Sequence, residues 1–301
     1  MVDGCGSLFN NIFMFQGKKK IILIIIALTC ICLSLFVLYI FSFYFQEDLQ
    51  VTFCDVGQGD AILIQTKNNK DILVDGGPDL SVLTCLGEQL PFYDRRIELV
   101  VLTHPHADHL VGLLAVLDRY QVDNVLITGV DGGNKNYQEF LGLIKEKNIN
   151  KIIAVAGQRF DLPKGVQLEV IYPLNSLENR KVDNQNNGSV VLSLEYQEIR
   201  FLLMGDLEEG GEANLLATGN NLSANVLKLG HHGSSTSSSL DFLQAVDSEL
   251  VIISVGQGNS FGHPSLRTVK RVERLGSNIL RTDLLGKIVF FSVGERVWHE
   301  N

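Results

Sequence analysis

Residues 102–109 read LTHPHADH, which places His104, His106, Asp108 and His109 within six consecutive positions of a 301-residue chain that holds seven histidines in all. A lone histidine on an apolar face is usually a satisfied core residue. Three histidines and a carboxylate in H-x-H-x-D-H order point elsewhere, because imidazole and carboxylate are the ligands that borderline divalent cations such as zinc prefer. With a helix starting near Asp108, His104 and His106 project from the preceding loop toward one metal, and Asp108 and His109 turn toward another. Two metals about 3.5 to 4 Å apart need a bridging anion and more ligands than one loop supplies. Asp206, which closes the run RFLLMGD, is the candidate bridge, and His232 of GHHGS is the candidate further ligand. Alone, Asp206 would read as a helix N-cap and the His231–His232 pair as a surface turn. Beside the first cluster they read as parts of one site.

These residues need strands to hold them. From Gln50 onward, apolar β-rich runs alternate with helical patterns: VTFCDV, AILIQT, DILVDGG, IELVVLTH, DNVLITG, KIIAVAG, QLEVIYP, SVVLSLEY, IRFLLMGD, ANVLKLGHHG, ELVIISVG and KIVFFSVG read as strands. Helices are predicted near 79–90, 108–120, 136–147, 207–218, 238–246 and 265–275. That is too many strands for one small doubly wound sheet, whereas two sheets with helices on their outer faces fit. The runs ending in DGG, THPHADH, MGD and LGHHGS each place potential ligands directly after an apolar strand, where rigid sheets present functional groups. The most polar stretch, NRKVDNQNNGS at 179–189, reads either as a flexible excursion or as the rim of that site.

Residues 21–45 carry no charged side chain. As a helix rising about 1.5 Å per residue, they would cover the roughly 30 Å hydrocarbon core of a bilayer with some tilt. The run is too long for the apolar core of a signal peptide, and no small-x-small cleavage site follows it. Cys30 in ALTC matches a lipoprotein acceptor poorly, since the apolar run continues past it. The stretch is therefore expected to be an uncleaved transmembrane helix. Lys18, Lys19 and Lys20 place residues 1–47 as a cytoplasmic N-terminus and anchor, and residues 48–301 as an extracytoplasmic domain. Without Lys18, Lys19, Lys20, Asp3 and Glu47, the totals of 25 basic and 34 acidic residues become 22 and 32. An acidic domain of this kind argues against broad nonspecific nucleic-acid binding unless a local patch or a bound metal reverses the field. The five cysteines lack zinc-finger spacing. Cys54 and Cys85 are the two that could pair outside the membrane; two buried free thiols are the expectation.

The motifs, taken in order, resemble the metallo-β-lactamase superfamily, and within it the hydrolase domain of ComEC-type competence proteins. The resemblance rests on DVGQGDAILI (55–64), ILVDGG (72–77), VLTHPHADHLVGL (101–113), FLLMGDLE (201–208), LKLGHHGSSTS (227–237) and SVGQGNSFGHPS (254–265), and covers residues 50–293. It implies an α/β (α+β) fold, a four-layer αββα sandwich, here preceded by one N-terminal transmembrane helix. It also implies two divalent metal ions, zinc or manganese. His104 and His106 would hold the first, Asp108, His109 and His232 the second, and Asp206 would bridge them. Asp75 would orient a ligand histidine. His231 and His263 would donate to a phosphoryl oxygen or protonate the leaving group, so that Asp108, Asp206, His231 and His263 form the implied catalytic set. For His263 a turn residue before Pro264 is an equal reading. Asp60, Asn186, Asn187, Ser189 and Ser234 are the further candidates for a supporting or substrate-contacting role.

The sequence departs from the family pattern in three places. No histidine lies between His109 and Asp206, where many superfamily members have one; NNGS at 186–189 resembles the polar N-x-S region that the competence subgroup uses instead, which leaves manganese open beside zinc. Ser235 stands where the subgroup often has a lysine. One spanning helix cannot form the multispanning channel that competence proteins of this family carry. The implied chemistry is hydrolysis of a phosphodiester, in which two cations acidify a water, orient it for in-line attack and neutralise charge building on the phosphoryl group. DNA cleaved during uptake is the favoured substrate. A small or cell-wall-bound phosphodiester, as for phosphorylcholine esterases, is the alternative, and a non-catalytic module serving a separate channel subunit is the non-enzyme reading. The signatures around Asp55 and His232 do not belong to true β-lactamases, which argues against that activity.

Overall fold

A computed structural model describes residues 23–38, 48–67 and 70–300. The chain divides into two units, Met1–Gln46 and Glu47–Asn301. In the first, residues 23–38 form helix α1, whose leucines, isoleucines and Phe36 are all exposed. Its two hydroxyls are satisfied within the helix, Thr29 donating to the Ile25 and Ile26 carbonyls and Ser34 to those of Cys30 and Ile31. At about 1.5 Å per residue, the described residues of this helix rise about 24 Å. Among the described residues no helix is long and apolar enough to cross a membrane. The remainder of the expected span, residues 21–22 and 39–45, lies outside the described residues, as do the three lysines.

The second unit is built on two sheets. One runs β15-β14-β1-β2-β3-β4-β5-β6, comprising β1 (Leu49–Phe53), β2 (Ile62–Thr66), β3 (Lys70–Val74), β4 (Arg96–Leu102), β5 (Gln121–Ile127), β6 (Asn150–Ile153), β14 (Ile288–Ser292) and β15 (Val297–Glu300). The other runs β13-β12-β11-β10-β9-β8-β7, comprising β7 (Arg159–Asp161), β8 (Val166–Tyr172), β9 (Val191–Tyr196), β10 (Ile199–Leu203), β11 (Val226–Lys228), β12 (Leu250–Ile253) and β13 (Asn278–Arg281). Side chains alternate across each strand. Leu49, Val51, Phe53, Ile72, Val74 and Val101 of the first sheet therefore meet Val166, Leu168, Leu192, Leu194 and Phe201 of the second in one buried layer.

The opposite face of each sheet is covered by helices, which is why several strands read as unbroken apolar runs. Leu63, Leu73, Val100 and Leu102 pack against α2 (Ser81–Gln89), α3 (Ala107–Arg119) and α4 (Lys135–Glu146). Leu202, Leu227, Val251 and Ile253 pack against α5 (Glu209–Ala217), α6 (Leu240–Val246) and α7 (Leu266–Arg274). The result is a four-layer αββα sandwich. All twelve runs read as strands contain strands, and the six predicted helices are present. The short strands β7, β13 and β15 and the four-residue helix α8 (Thr282–Leu285) were not anticipated. Cys54 and Cys85 correct the expectation of free thiols: they form a disulfide with their Cα atoms 5.9 Å apart. The pairing depends on α2 folding back over β1, which no local spacing announces.

Candidate metal centre

Within each sheet the middle strands run parallel, β3 with β4 and β10 with β11 and β12. Their carboxyl ends open on one edge of the sandwich, the place where open α/β sheets present ligand sites. Asp75 follows β3, Thr103 and His104 follow β4, Asp206 follows β10, His232 follows β11 and Ser254 follows β12.

Helix α3 sets three of the ligands, His106, Asp108 and His109. His106 is its N-cap and Asp108 lies in its first turn, where a carboxylate suits the positive end of the helix dipole. The helix approaches the loops after β3 and β1 so closely that a Cβ on Gly112 would lie 1.9 Å from the Gly76 carbonyl oxygen, and one on Gly59 would lie 2.1 Å from that of Asp108. Gly76 N–H donates to the His109 carbonyl at 2.7 Å, and Asp60 N–H to the Asp108 carbonyl at 3.3 Å. On the other sheet, His231 and His232 both adopt left-handed backbone, φ 51° and 52°, in the turn Gly230–Gly233. Non-glycine residues held this way cluster at functional sites.

Hydrogen bonds fix which nitrogen of each imidazole faces inward. Asp75 Oδ1 and Oδ2 accept from the Thr103 amide and hydroxyl at 2.8 and 2.7 Å, and Asp75 Oδ2 lies 2.8 Å from His109 Nδ1. Since the one hydroxyl proton of Thr103 goes to Asp75, its oxygen accepts from His104 Nδ1 at 3.1 Å. His232 Nδ1 donates to the Ser254 carbonyl at 2.9 Å. All three histidines are thereby left with Nε2 free and aimed at Asp206. His104 Nε2 is 3.8 Å from Asp206 Oδ2, while His109 and His232 Nε2 are 3.4 and 3.5 Å from Oδ1. Asp108 Oδ2 lies 3.9 Å from His109 Nε2 and 3.5 Å from His232 Nε2. The His106 ring stands 4.6 Å from that of His104. The six residues read as metal ligands in the sequence therefore gather at one place.

The same atoms supply a test of fit. His104 Nε2, His109 Nε2, His232 Nε2 and Asp206 Oδ1 are buried with no hydrogen-bond partner. Leaving one such group unpaired costs about 1–3 kcal/mol, so four gathered around the Asp206 carboxylate are explained by divalent cations that they would ligate. Ligand atoms of Asp108, His109, Asp206 and His232 all lie within 4.8 Å of one another. Electrostatics agree: burial works against a charge on His109, yet the Asp206, Asp75 and Asp108 carboxylates outweigh it and hold the ring well above the ordinary imidazole value. Burial likewise opposes the Asp206 carboxylate, but His232, His109 and His104 keep it well below the usual range. His104, pushed down by burial and by His109, stays neutral. The cluster demands positive charge.

The remaining candidates occupy a ring around this centre. His231 Nδ1 lies 3.1 Å from Glu208 Oε1, with Nε2 3.9 Å from Asp206 Oδ2. Asn186 donates to the same Glu208 oxygen at 3.1 Å, Asn187 Oδ1 accepts from the Glu208 amide at 3.2 Å, and the Ser189 hydroxyl accepts from the Asp206 amide at 3.1 Å. The 184–189 end of the polar stretch is thus a rim. Ser234 is different: its hydroxyl pairs with Thr236 at 3.1 Å and serves the turn. The His263 ring packs 5.4 Å from that of His231. Sequence reasoning overlooked Glu208, Thr103 and Lys228. Lys228 is fully buried with Nζ 2.5 Å from Asp60 Oδ2, and Asp60 Oδ1 is 3.5 Å from His232 Nδ1. The lysine in an otherwise apolar strand was the available signal.

The sequence model of the metallo-β-lactamase superfamily matches residues 54–256. The chain belongs to the metallo-β-lactamase superfamily. It is similar to ComE operon protein 3 of Bacillus subtilis strain 168, with 28% identity over 80% of this chain. It is similar also to competence protein ComA of Neisseria gonorrhoeae, with 33% identity over 81% of the chain. These relatives are much longer, the chain spanning 33% and 32% of their lengths. In fold it resembles Igni18, a metallo hydrolase of Ignicoccus hospitalis, with a TM-score of 0.53, 15% identity, and coverage of 81% of this chain and 99% of that one. The superfamily fold and the candidate metal cluster therefore occur together in a relative of competence proteins.

Proposed function

We propose that this chain is a membrane-anchored, dinuclear metal-dependent phosphodiesterase that cleaves DNA outside the cell membrane in connection with DNA uptake. The observation that carries the reading is the convergence of four buried, unpaired ligand atoms from His104, His109, Asp206 and His232 in a relative of competence proteins. His104 and His106 would hold one divalent cation, zinc or manganese; Asp108, His109 and His232 would hold the other, with Asp206 between them. Such cations supply a water acidified toward neutral pH and positive charge opposite a phosphoryl group.

The chain's own groups do the positioning. Asp75 and Thr103 hold the His109 and His104 rings by their Nδ1 atoms, and the Ser254 carbonyl does the same for His232. His231, its Nδ1 facing Glu208, directs Nε2 toward the centre, where the doubly protonated ring would donate to a phosphoryl oxygen or to the leaving group and be left neutral. His263 stands behind it as a further donor.

Three features support the placement. The uncharged run 21–45 suits an anchor, the three lysines before it favour a cytoplasmic N-terminus, and the Cys54–Cys85 disulfide fits an oxidising compartment. A separate channel subunit would complete an uptake system. The acidity of residues 48–301 favours a second reading, a small or wall-bound phosphodiester substrate.

The test is hydrolysis by residues 48–301 of labelled single-stranded DNA and of a small phosphodiester, with zinc or manganese, beside Asp206→Asn. Metal-dependent DNA cleavage lost in the variant is the expected result. Cleavage of the small ester alone selects the second reading, and inactivity on both despite bound metal selects a non-catalytic partner module. Thiol labelling of Asn220→Cys from outside intact cells, with Cys5, Cys30 and Cys32 replaced, checks the orientation.

A further inference from the structure

Phe261 is a large apolar side chain with 67% of its surface exposed, and it sits beside the metal centre. Its ring stacks on His263, centroids 6.0 Å apart and planes 18° from parallel. His263 in turn meets His231 edge-on at 5.4 Å, and His231 Nε2 is 3.9 Å from Asp206 Oδ2. Two side chains thus separate an open aromatic face from the candidate bridging carboxylate.

The loop that carries Phe261 is braced. Asn259 Oδ1 accepts from the amides of Phe261 and His263 at 3.1 and 3.0 Å, and its Nδ2 donates to the carbonyls of Gly256 and His263 at 3.0 and 2.6 Å. One end of the loop abuts the Gly57–Gln58 turn, where a Cβ on Gly256 would lie 2.6 Å from the Gln58 nitrogen. The other is tied to the histidine turn by the Ser265 amide donating to the Gly233 carbonyl at 2.9 Å. A ring held out by such a frame loses little conformational freedom when something stacks on it.

We propose that Phe261, backed by His263, is a stacking platform for a nucleobase of a single-stranded substrate whose phosphodiester lies at the metal centre. The proposal rests on the nucleic-acid reading above and deepens it. A body with 22 basic and 32 acidic residues offers a polyanion little long-range attraction. Stacking on an aromatic face does not depend on net charge and tolerates every base. It therefore supplies affinity that the electrostatics of this domain withhold.

The experiment compares wild type, Phe261→Ala and Phe261→Trp, metal-loaded, on a single-stranded oligonucleotide and on an abasic strand of the same length. Loss of one stacked base predicts that Phe261→Ala raises KM for the normal strand about tenfold with a smaller effect on kcat, and that Phe261→Trp restores it. The ratio of abasic to normal KM should fall by the same factor. In an Asp206→Asn background, fluorescence anisotropy should show the tenfold loss in Kd without turnover. An unchanged KM in Phe261→Ala, with DNA cleavage by wild type intact, overturns the platform alone, as does an equal loss on the abasic strand. A wild type that neither binds nor cleaves DNA overturns the platform together with the nucleic-acid reading.

Discussion

Asp75 Oδ2 and His109 Nδ1 lie 2.8 Å apart in a pocket closed to solvent, and the Thr103 amide and hydroxyl occupy the rest of the carboxylate. The aspartate reaches the centre through His109, whose Nε2 it turns inward. Replacing such a partner typically costs 10- to 100-fold in metal affinity. Asp75→Ala should therefore weaken zinc binding by about that range in competition with a chromophoric chelator, and Asp75→Asn, which keeps an acceptor oxygen, should lose less. Equal affinity in wild type and Asp75→Ala would contradict the role.

Lys228 and Asp60 form an ion pair that is buried on both sides, behind His232. Removing one member leaves the other charge without compensation, which usually costs about 3–5 kcal/mol. Lys228→Met should show a loss of that size in urea unfolding, and Lys228→Met with Asp60→Leu should recover part of it. If the single variant unfolds at the wild-type urea concentration, the pair is not carrying a charge burden.

The Cys54–Cys85 disulfide closes a loop with a sequence separation of 31 residues. Chain-entropy reasoning assigns about 3–4 kcal/mol to a loop of that length. Reductant should lower the melting temperature of wild type and leave Cys54→Ala/Cys85→Ala unmoved. A wild type indifferent to reductant would show that the bridge contributes nothing to stability.

Asp71 gives the fold a pH signature away from the metal ligands. Burial, with Asp94 and Glu98 nearby, raises its carboxyl from 3.8 to about 7. Between pH 4 and 7 the folded state then binds more protons at this group than the unfolded state, so stability falls as pH rises through that window. Asp71→Asn should remove this dependence: relative to wild type, its melting temperature should climb from pH 4 to pH 8. A constant difference across the range would contradict the assignment.

Much of this was legible before the fold was seen, for physical reasons that differ by element. The strands and helices declared themselves through periods of two and of 3.6 residues, and the two sheets followed from there being more strands than one sheet could hold. His104, His106, Asp108 and His109 were readable because four ligand types fall in one short loop. Asp206 and His232 were readable as strand-terminal polar residues, a position with a limited set of uses.

Other features belong to the tertiary structure alone. That the ends of β3, β4, β10, β11 and β12 open on one edge decides that residues as far apart as Asp75 and His232 share a centre, and chain order does not carry that information. The tautomers of His104, His109 and His232 are set by Thr103, Asp75 and the Ser254 carbonyl respectively. The Cys54–Cys85 bridge, misread as two thiols, needs α2 laid over the end of β1. Lys228 and Asp60 meet across 168 positions. Residue types and local spacing fixed which chemistry was available to this chain; the long-range packing of two sheets decided which side chains could perform it together, because only packing sets distances between residues remote in sequence.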